Sequence, residues 1–148
     1  MAQVQVKQVS YKGWANNLEM SNGTVSLILT LDVGPRIIRY SFVGGENILK
    51  EFTEQIGKSG EKEWQSRGGH RLWHAPEDLQ RTYELDNSPI RYEKIGANTV
   101  RLIQNPEPNS RIQKEMDVTL ETTGSKVTIV HRLRNLAMWN IELAPWAL

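Results

Sequence analysis

Cysteine is absent from all 148 residues of the chain, which excludes disulfides, thiol nucleophiles and thiolate metal sites. Long hydrophobic runs are absent too, because no stretch approaches the ~20 apolar residues that span a bilayer. Residues 1–11 alternate polar and apolar side chains and lack the unbroken apolar core of a signal peptide. We therefore expect a cytoplasmic protein that does not use a membrane as a partner.

An excess of charge of either sign is also missing. Lys plus Arg number 18 and Asp plus Glu number 17, so the charge balance gives no reason to expect nucleic acid as a partner. P-loop, Rossmann and nucleophile-elbow patterns do not occur, and we expect no cofactor. The length fits a single domain over residues 1–148.

Helical periodicity is scarce, and the apolar residues repeat every two positions instead. Val25, Leu27, Leu29 and Leu31 share one face of the run 24–31, which is typical of a half-buried strand. Similar runs predict strands at 4–9, 36–43, 91–93, 99–104, 111–121, 126–134 and 138–148, with a hairpin connection at 122–125. Many short strands separated by turn signals predict an all-β fold, an antiparallel β-sandwich or a barrel.

The segment 52–78 differs from the rest, because it is polar, contains glycine and has no period. A long loop inside a compact domain is usually functional or disordered, and its two tryptophans and two histidines argue against disorder. Its densest part is 67–78, where planar donors and acceptors stand beside an aromatic ring, as sugar sites require. Gly68 and Gly69 would let the backbone approach a ligand closely. The alternative is a solvated loop held in place by Trp73.

A metal site is a second interpretation of the same segment. His70 and His74 are four residues apart and Glu77 follows three later, and all three are ordinary metal ligands. The glycine pair and Pro76 disfavour a helix, so the three side chains could meet only through a turn. Such a site would belong to a cupin-like, metal-dependent β-barrel enzyme.

The run 126–134 places His131 on one face with Val127 and Ile129. A lone histidine on an apolar face is more often part of a core than a catalyst, so we expect a core residue here. Arg132 and Arg134 point to the opposite face, where we expect them to be solvated or paired.

Other polar and aromatic residues carry simpler expectations. Solvent exposure is the simplest prediction for Arg36 and Arg39, and core packing for Trp139, while the sequence leaves the role of Trp146 open. The segment 141–148 is apolar to its last residue, whereas chain termini are usually exposed and polar. We expect either a deeply docked strand or, as the favoured interpretation, a piece of a longer supersandwich.

Three segments in order resemble the first half of a galactose-mutarotase-like domain, the superfamily of aldose 1-epimerases and hexose-phosphate epimerases. These segments are 33–38 with 45–49, then Arg67-Gly68-Gly69 with His70 and Pro76, and finally 127–135 with 138–146. The resemblance implies a β-supersandwich that binds a small-molecule carbohydrate on its concave face, with no metal. In the hexose-phosphate branch, the arginine that matches Arg67 contacts the sugar or its phosphate. The expected substrate-binding residues are Arg67, His70, Arg71, Trp73, His74 and Trp146.

The sequence departs from that family where catalysis is concerned. Mutarotation needs a base and an acid, which the family supplies as a glutamate and a histidine. Trp146 stands where the histidine is expected, and an indole cannot exchange a proton at neutral pH. The family's glutamate would lie beyond Leu148. Remaining catalytic candidates are His70, His74 and Glu142, although Glu142 alternates with apolar neighbours and should face the other side of its strand.

We therefore expect a carbohydrate-binding, mutarotase-like protein. The alternatives are an aldose or hexose-phosphate 1-epimerase whose base lies beyond residue 148, the metal-dependent enzyme, and a structural β domain without a ligand. Strand edges left exposed by half of a supersandwich would favour pairing with a second copy of the chain, giving a homo-oligomer.

Overall fold

The structure, a computed structural model, describes residues 3–148. These residues form ten strands in three antiparallel sheets and no helix. Nothing in this range could therefore serve as a bilayer-crossing helix. The strands are β1 (Gln5–Tyr11), β2 (Trp14–Ser21), β3 (Val25–Thr30), β4 (Ile37–Phe42), β5 (Leu72–Ala75), β6 (Arg91–Gly96), β7 (Thr99–Ile103), β8 (Ile112–Leu120), β9 (Val127–Asn135) and β10 (Ala144–Ala147).

The first sheet is a four-stranded meander in the order β1-β2-β3-β4. Asn22 makes the turn into β3, because its side-chain oxygen accepts hydrogen bonds from the amides of Thr24 and Val25 at 2.9 and 3.0 Å. Sequence alternation did not predict β2, in which the fully buried Asn17 interrupts the apolar pattern. Asn17 is accommodated because its amide nitrogen donates to the carbonyls of Val9 and Trp14.

The second sheet is a meander in the order β6-β7-β8-β9. Its strands agree with the predicted runs to within a few residues, and the predicted hairpin at 122–125 joins β8 to β9. The pairing of β8 with β9 runs without a register shift from Ile112↔Asn135 to Leu120↔Val127. Such an unbroken ladder is expected where one face of a strand is consistently apolar and fixes the register.

The inner faces of the two four-stranded sheets enclose one hydrophobic core. Buried members from the first sheet include Met20, Leu27 and Leu29, and those from the second include Leu102 and Met116. The turn between β2 and β3 also contacts the hairpin of the second sheet, since the Asn22 amide donates to the carbonyls of Glu121 and Gly124. Two packed antiparallel sheets confirm the predicted all-β sandwich.

The outer face of the first sheet is also covered, which the sequence did not predict. All six residues of β3 are buried, so the expected half-buried strand is wrong on this point. Ile28 and Ile38 pack there with Trp14 and with Ile56, which comes from the segment that follows β4. The indole nitrogen of Trp14 donates to the carbonyl of Lys58 at 3.0 Å and holds this cover in place.

The polar segment 52–78 runs back along the edge strand β4. Isolated bridges pair Ile37 with His70 and Glu51 with Gly68. Gly68 and Gly69 have positive φ angles of 89° and 74°, and a Cβ on either would overlap a backbone carbonyl, of Lys50 and of Ile37 respectively. The two glycines therefore permit close approach to the chain's own backbone at Lys50 and Ile37, a contact that the sequence did not predict.

The third sheet is a two-stranded ribbon of β5 and β10. The segment 52–78 is thus not a loop throughout, because Leu72–Ala75 forms a strand within it. Of the predicted strand at 138–148, only Ala144–Ala147 is a strand, since the residues before it pair with no other strand. Trp139 is 77% exposed, so the prediction that it packs in the core is wrong.

Candidate functional site

Four aromatic side chains meet beside the β5–β10 ribbon and are called here the aromatic cluster: Trp64, Trp73, Tyr83 and Trp146. Trp73 lies at its centre, with its ring centroid 5.4 Å from that of Trp64, 5.2 Å from Tyr83 and 5.1 Å from Trp146. The contact between Trp73 and Trp146 follows directly from strand pairing, because the two residues are partners across the ribbon. Trp73 is only 9% exposed, so its neighbours rather than solvent surround the indole.

Arg71 adds a cation to the aromatic cluster. Its guanidinium carbon lies 4.2 Å from the ring centroid of Trp73 and 4.6 Å from that of Trp64, within the range of a cation–π interaction. Burial, together with the nearby positive charge of Arg36, lowers the pKa of Arg71 to about 10. Its Nη1 is buried and has no hydrogen-bond partner within residues 3–148.

Arg36 is fully buried, which corrects the prediction of solvent exposure. One guanidinium nitrogen donates to the carbonyls of Ser66, at 2.6 Å, and of Gly68, and the other donates to a carboxylate oxygen of Asp86 at 2.5 Å. Arg36 stands just before β4, so it ties the returning segment to the first sheet. Arg39 is half-buried and donates to the carbonyl of Gly45 at 2.6 Å.

Arg67 lies in the same buried layer, 1% exposed. Its guanidinium forms an ion pair with Glu61 at 2.5 Å and lies 3.7 Å from Asp86. Burial acts to raise the pKa of Asp86, but the charge and hydrogen bond of Arg36 outweigh it and the pKa is lowered. This arrangement gives the guanidinium of Arg67 a structural ion pair inside the protein, away from an open surface.

An open cleft of about 860 Å³ lies next to the aromatic cluster and is called here the polar cleft. Trp64 and Tyr83 line it, which makes them members of both features. Most of the other lining side chains are polar and end in an amide, carboxylate, hydroxyl or ammonium group: Lys62, Gln80, Glu84, Asn87, Ser88, Gln104, Asn105, Glu107 and Asn109. None of the six expected substrate-binding residues lines the polar cleft.

Two buried carboxylates border the polar cleft. One oxygen of Glu84 accepts hydrogen bonds from the backbone amides of Asn109 and Ser110, both at 2.8 Å. This carboxylate therefore fixes the turn that carries one wall of the cleft. The turn lies about two dozen residues from Glu84 in the chain, and no local pattern signals the contact.

Glu107 is the second of these carboxylates and is 1% exposed. Lys114 Nζ lies 2.6 Å from one of its oxygens, and His74 Nε2 lies 3.8 Å from the other. Burial acts to raise the pKa of Glu107, but the adjacent His74 and Lys114 outweigh it and the pKa is lowered. His74, 2% exposed, thus contacts a buried ion pair.

His70 and His131 meet away from the polar cleft. Their Nε2 atoms are 2.9 Å apart, and both rings are half-buried. His131 lies on the same face as Val127 and Ile129, as predicted, and those two residues pack against the core. On the opposite face, Arg132 pairs with Asp117, which confirms the expected paired face.

The proposed metal trio of His70, His74 and Glu77 does not assemble. His70 faces His131, His74 faces Glu107, and Glu77 accepts a hydrogen bond from the Tyr83 hydroxyl. Across residues 3–148 no three His, Asp or Glu side chains are grouped as metal ligands would be. Glu142, the remaining catalytic candidate, is exposed.

The residues that line the polar cleft were mostly missed by sequence reasoning. Trp64 was noted only as one of two tryptophans in the segment, and Tyr83, Glu84 and Glu107 were not singled out. The one local signal was Pro106-Glu107-Pro108, where two prolines restrict the backbone around a carboxylate. The other residues converge only through tertiary contacts.

Comparison of the chain with protein-family models, curated proteins and solved structures found no match. The geometry and chemistry of the polar cleft are therefore the basis for a functional proposal.

Proposed function

We propose that the protein binds a carbohydrate in the polar cleft. The observation that carries the proposal is the pairing of two half-exposed aromatic rings, Trp64 and Tyr83, with a wall of amide and carboxylate side chains. The cleft, at about 860 Å³, falls in the range of ligand sites, roughly 300–1,000 Å³. The same class of ligand is the one implied by the resemblance to galactose-mutarotase-like proteins.

Sugars combine two kinds of surface, and the polar cleft offers a partner for each. The C–H face of a pyranose is apolar and can stack on an aromatic ring, for which Trp64 and Tyr83 are available. The hydroxyl groups need donors and acceptors, which Asn87, Gln104 and Asn109 supply as uncharged amides. No strong excess of positive charge lines the cleft, so a neutral sugar fits it better than a sugar phosphate.

Both aromatic rings pack against neighbouring side chains, which fixes their orientation before a ligand binds. Trp64 packs against Trp73 and under the guanidinium of Arg71, and its ring centroid is 5.2 Å from that of Tyr83. Rigid side chains lose little entropy on binding, so a pre-ordered platform improves affinity. In this proposal Arg71 and Trp73 are positioning residues behind the site, and the sugar contacts Trp64 and Tyr83.

Isothermal titration with a panel of neutral monosaccharides, uronic acids and sugar phosphates tests the proposal. We expect saturable binding of at least one neutral sugar and protection against thermal unfolding by that sugar. Trp64→Ala should weaken binding on the order of tenfold or more, because it removes the stacking platform. Trp64→Phe should retain part of the affinity.

Trp139→Ala is the matched control, because Trp139 is 77% exposed and does not line the cleft. It should bind the same sugar as tightly as the unaltered protein. Absence of binding by every sugar in the panel would contradict the proposal. Equal losses in Trp64→Ala and Trp139→Ala would move the binding surface away from the polar cleft.

A further inference from the structure

Two histidines, one beside the edge strand of the first sheet and one on the second sheet, approach each other outside the polar cleft. His70 forms an isolated β-bridge with Ile37 of β4, and His131 lies on β9, an edge strand of the second sheet. Their Nε2 atoms are 2.9 Å apart, with the ring planes inclined at 39°. The chain has three histidines, and two of them take part in this contact.

We propose that His70 and His131 form a two-histidine binding site for a divalent transition-metal ion of the Zn²⁺, Ni²⁺ or Cu²⁺ type. The Nε2 atoms are the two protein ligands, and water fills the remaining positions. In the metal-free state the Nε2–H of one imidazole donates a hydrogen bond to Nε2 of the other. When the ion binds, the donor ring moves its proton from Nε2 to Nδ1 through solvent, so that both Nε2 lone pairs face the ion after a small rotation of the rings.

The distance between the two nitrogens fits such an ion. Metal–imidazole bonds of about 2.0–2.1 Å place two ligand nitrogens about 2.8–3.0 Å apart at a right angle and about 3.3–3.4 Å apart at the tetrahedral angle of zinc. The observed separation of 2.9 Å fits the right-angled geometry as it stands, and the rings must move apart by about 0.4 Å for a tetrahedral ion. Imidazole nitrogen is a ligand that suits zinc, nickel and copper, whereas calcium and magnesium prefer oxygen, which narrows the class of ion.

The surroundings keep both imidazoles available as ligands. A metal ligand must be a neutral imidazole, because the lone pair of Nε2 forms the bond to the ion. Both side chains are half-buried rather than enclosed, so an ion and its waters can reach them.

Neither histidine lines the polar cleft, so the metal site and the sugar site can be tested separately. The purified full chain, stripped with a chelator, is titrated with Zn²⁺, Ni²⁺ or Cu²⁺ in competition with a chromogenic chelator. We expect one ion per chain. His70→Gln and His131→Gln should each weaken binding on the order of tenfold or more, because each substitution leaves a single imidazole to hold the ion.

His74→Gln is the matched control, since it removes the third imidazole, which is 2% exposed and contacts Glu107. Thermal unfolding curves establish that each variant is folded, and His74→Gln should keep the affinity for the ion. Retained affinity in both His70→Gln and His131→Gln would overturn the proposal.

A measurement on the unaltered chain covers the case in which a variant fails to fold. Nitrogen-15 spectra of the imidazoles, recorded with and without Zn²⁺, should show shifts at Nε2 of two histidines and none at the third. Copper-loaded protein should show two equivalent nitrogen couplings in its electron paramagnetic resonance spectrum. Imidazole signals that do not change at a saturating concentration of Zn²⁺ would overturn the proposal.

Discussion

The two four-stranded sheets share one core but differ on their outer faces. The first sheet is covered by the segment after β4, which buries Ile28 and Ile38 under Ile56. On the outer face of the second sheet, the partly exposed Arg101 and Arg134 cover the buried carboxylates of Asp117 and Glu115. One face is therefore covered by apolar side chains, and the other by arginine side chains that remain in contact with water.

The same contrast separates two sets of ion pairs. Behind the first sheet, Asp86 faces Arg36, whose side chain is 0% exposed. On the second sheet, Asp117 accepts hydrogen bonds from Arg101 and Arg132 at 2.7 Å, and both arginines remain partly open to water. A charge whose partner is removed can be hydrated in the second case but not in the first. The stabilisation that each carboxylate provides should therefore differ although the contact distances are similar.

The largest effect is expected from Asp86→Asn. This change leaves the buried guanidiniums of Arg36 and Arg67 without their shared carboxylate. We expect the free energy of unfolding to fall by about 3–5 kcal/mol, the cost of leaving buried charges uncompensated. Urea denaturation followed by tryptophan fluorescence measures it. A loss below about 1 kcal/mol would show that the two arginines are hydrated in the folded protein.

The pH dependence of the free energy of unfolding also tests the buried ion pair of Asp86. The pKa of Asp86 is lower in the folded protein than its ordinary value of about 4, so its contribution is present above that pH. As the pH falls from about 4 through the folded-state pKa, the contribution is lost. The free energy of unfolding should therefore decline below about pH 4–5, and Asp86→Asn should decline less steeply. Parallel curves for the two proteins would contradict this assignment.

Ile38→Ala tests the apolar cover of the first sheet. Ile38 is fully buried among Trp14, Val33 and Ile56, so truncation leaves a cavity between the sheet and its cover. We expect a loss of about 3 kcal/mol in the free energy of unfolding. Val130→Ala is the matched change on the outer face of the second sheet, where Val130 is 46% exposed. It should alter stability by less than about 0.5 kcal/mol, and similar losses at both sites would erase the difference between the two faces.

How far the sequence predicts the structure follows from this difference. The second sheet has one apolar and one solvated face, so its alternation is visible, and β8 and β9 lie close to their predicted runs. The first sheet is buried on both faces around β3, and a two-residue period cannot reveal a cover that comes from elsewhere. Trp139 shows a second limit, because the apolar character of a side chain does not reveal whether it packs in the core or, as here, lies on the surface.

The candidate site was harder to predict because its contacts are distant in sequence. Arg36 reaches Gly68 and Asp86, which are 32 and 50 residues away, and no local pattern announces such partners. The composition of 67–78 drew attention to this segment. It did not show that Arg67 would be buried, or that Trp64 rather than Trp73 would line a cleft.

Among the substitutions Asp86→Asn, Ile38→Ala and Asp117→Asn, the last should reduce the free energy of unfolding least. The substitution removes the negative charge between Arg101 and Arg132, but both guanidiniums can turn outward and remain hydrated. Asp117 itself is buried, but both arginines of its ion pairs are partly open to water. Ion pairs that water reaches contribute about 1 kcal/mol or less and are screened by salt, so the loss should be about 1 kcal/mol and should shrink at high salt. Urea denaturation at low and high salt, alongside Asp86→Asn, measures both effects. If Asp117→Asn were as destabilising as Asp86→Asn and independent of salt, the ion pairs of Asp117 would be part of the buried interior, and the contrast between the two outer faces would not hold.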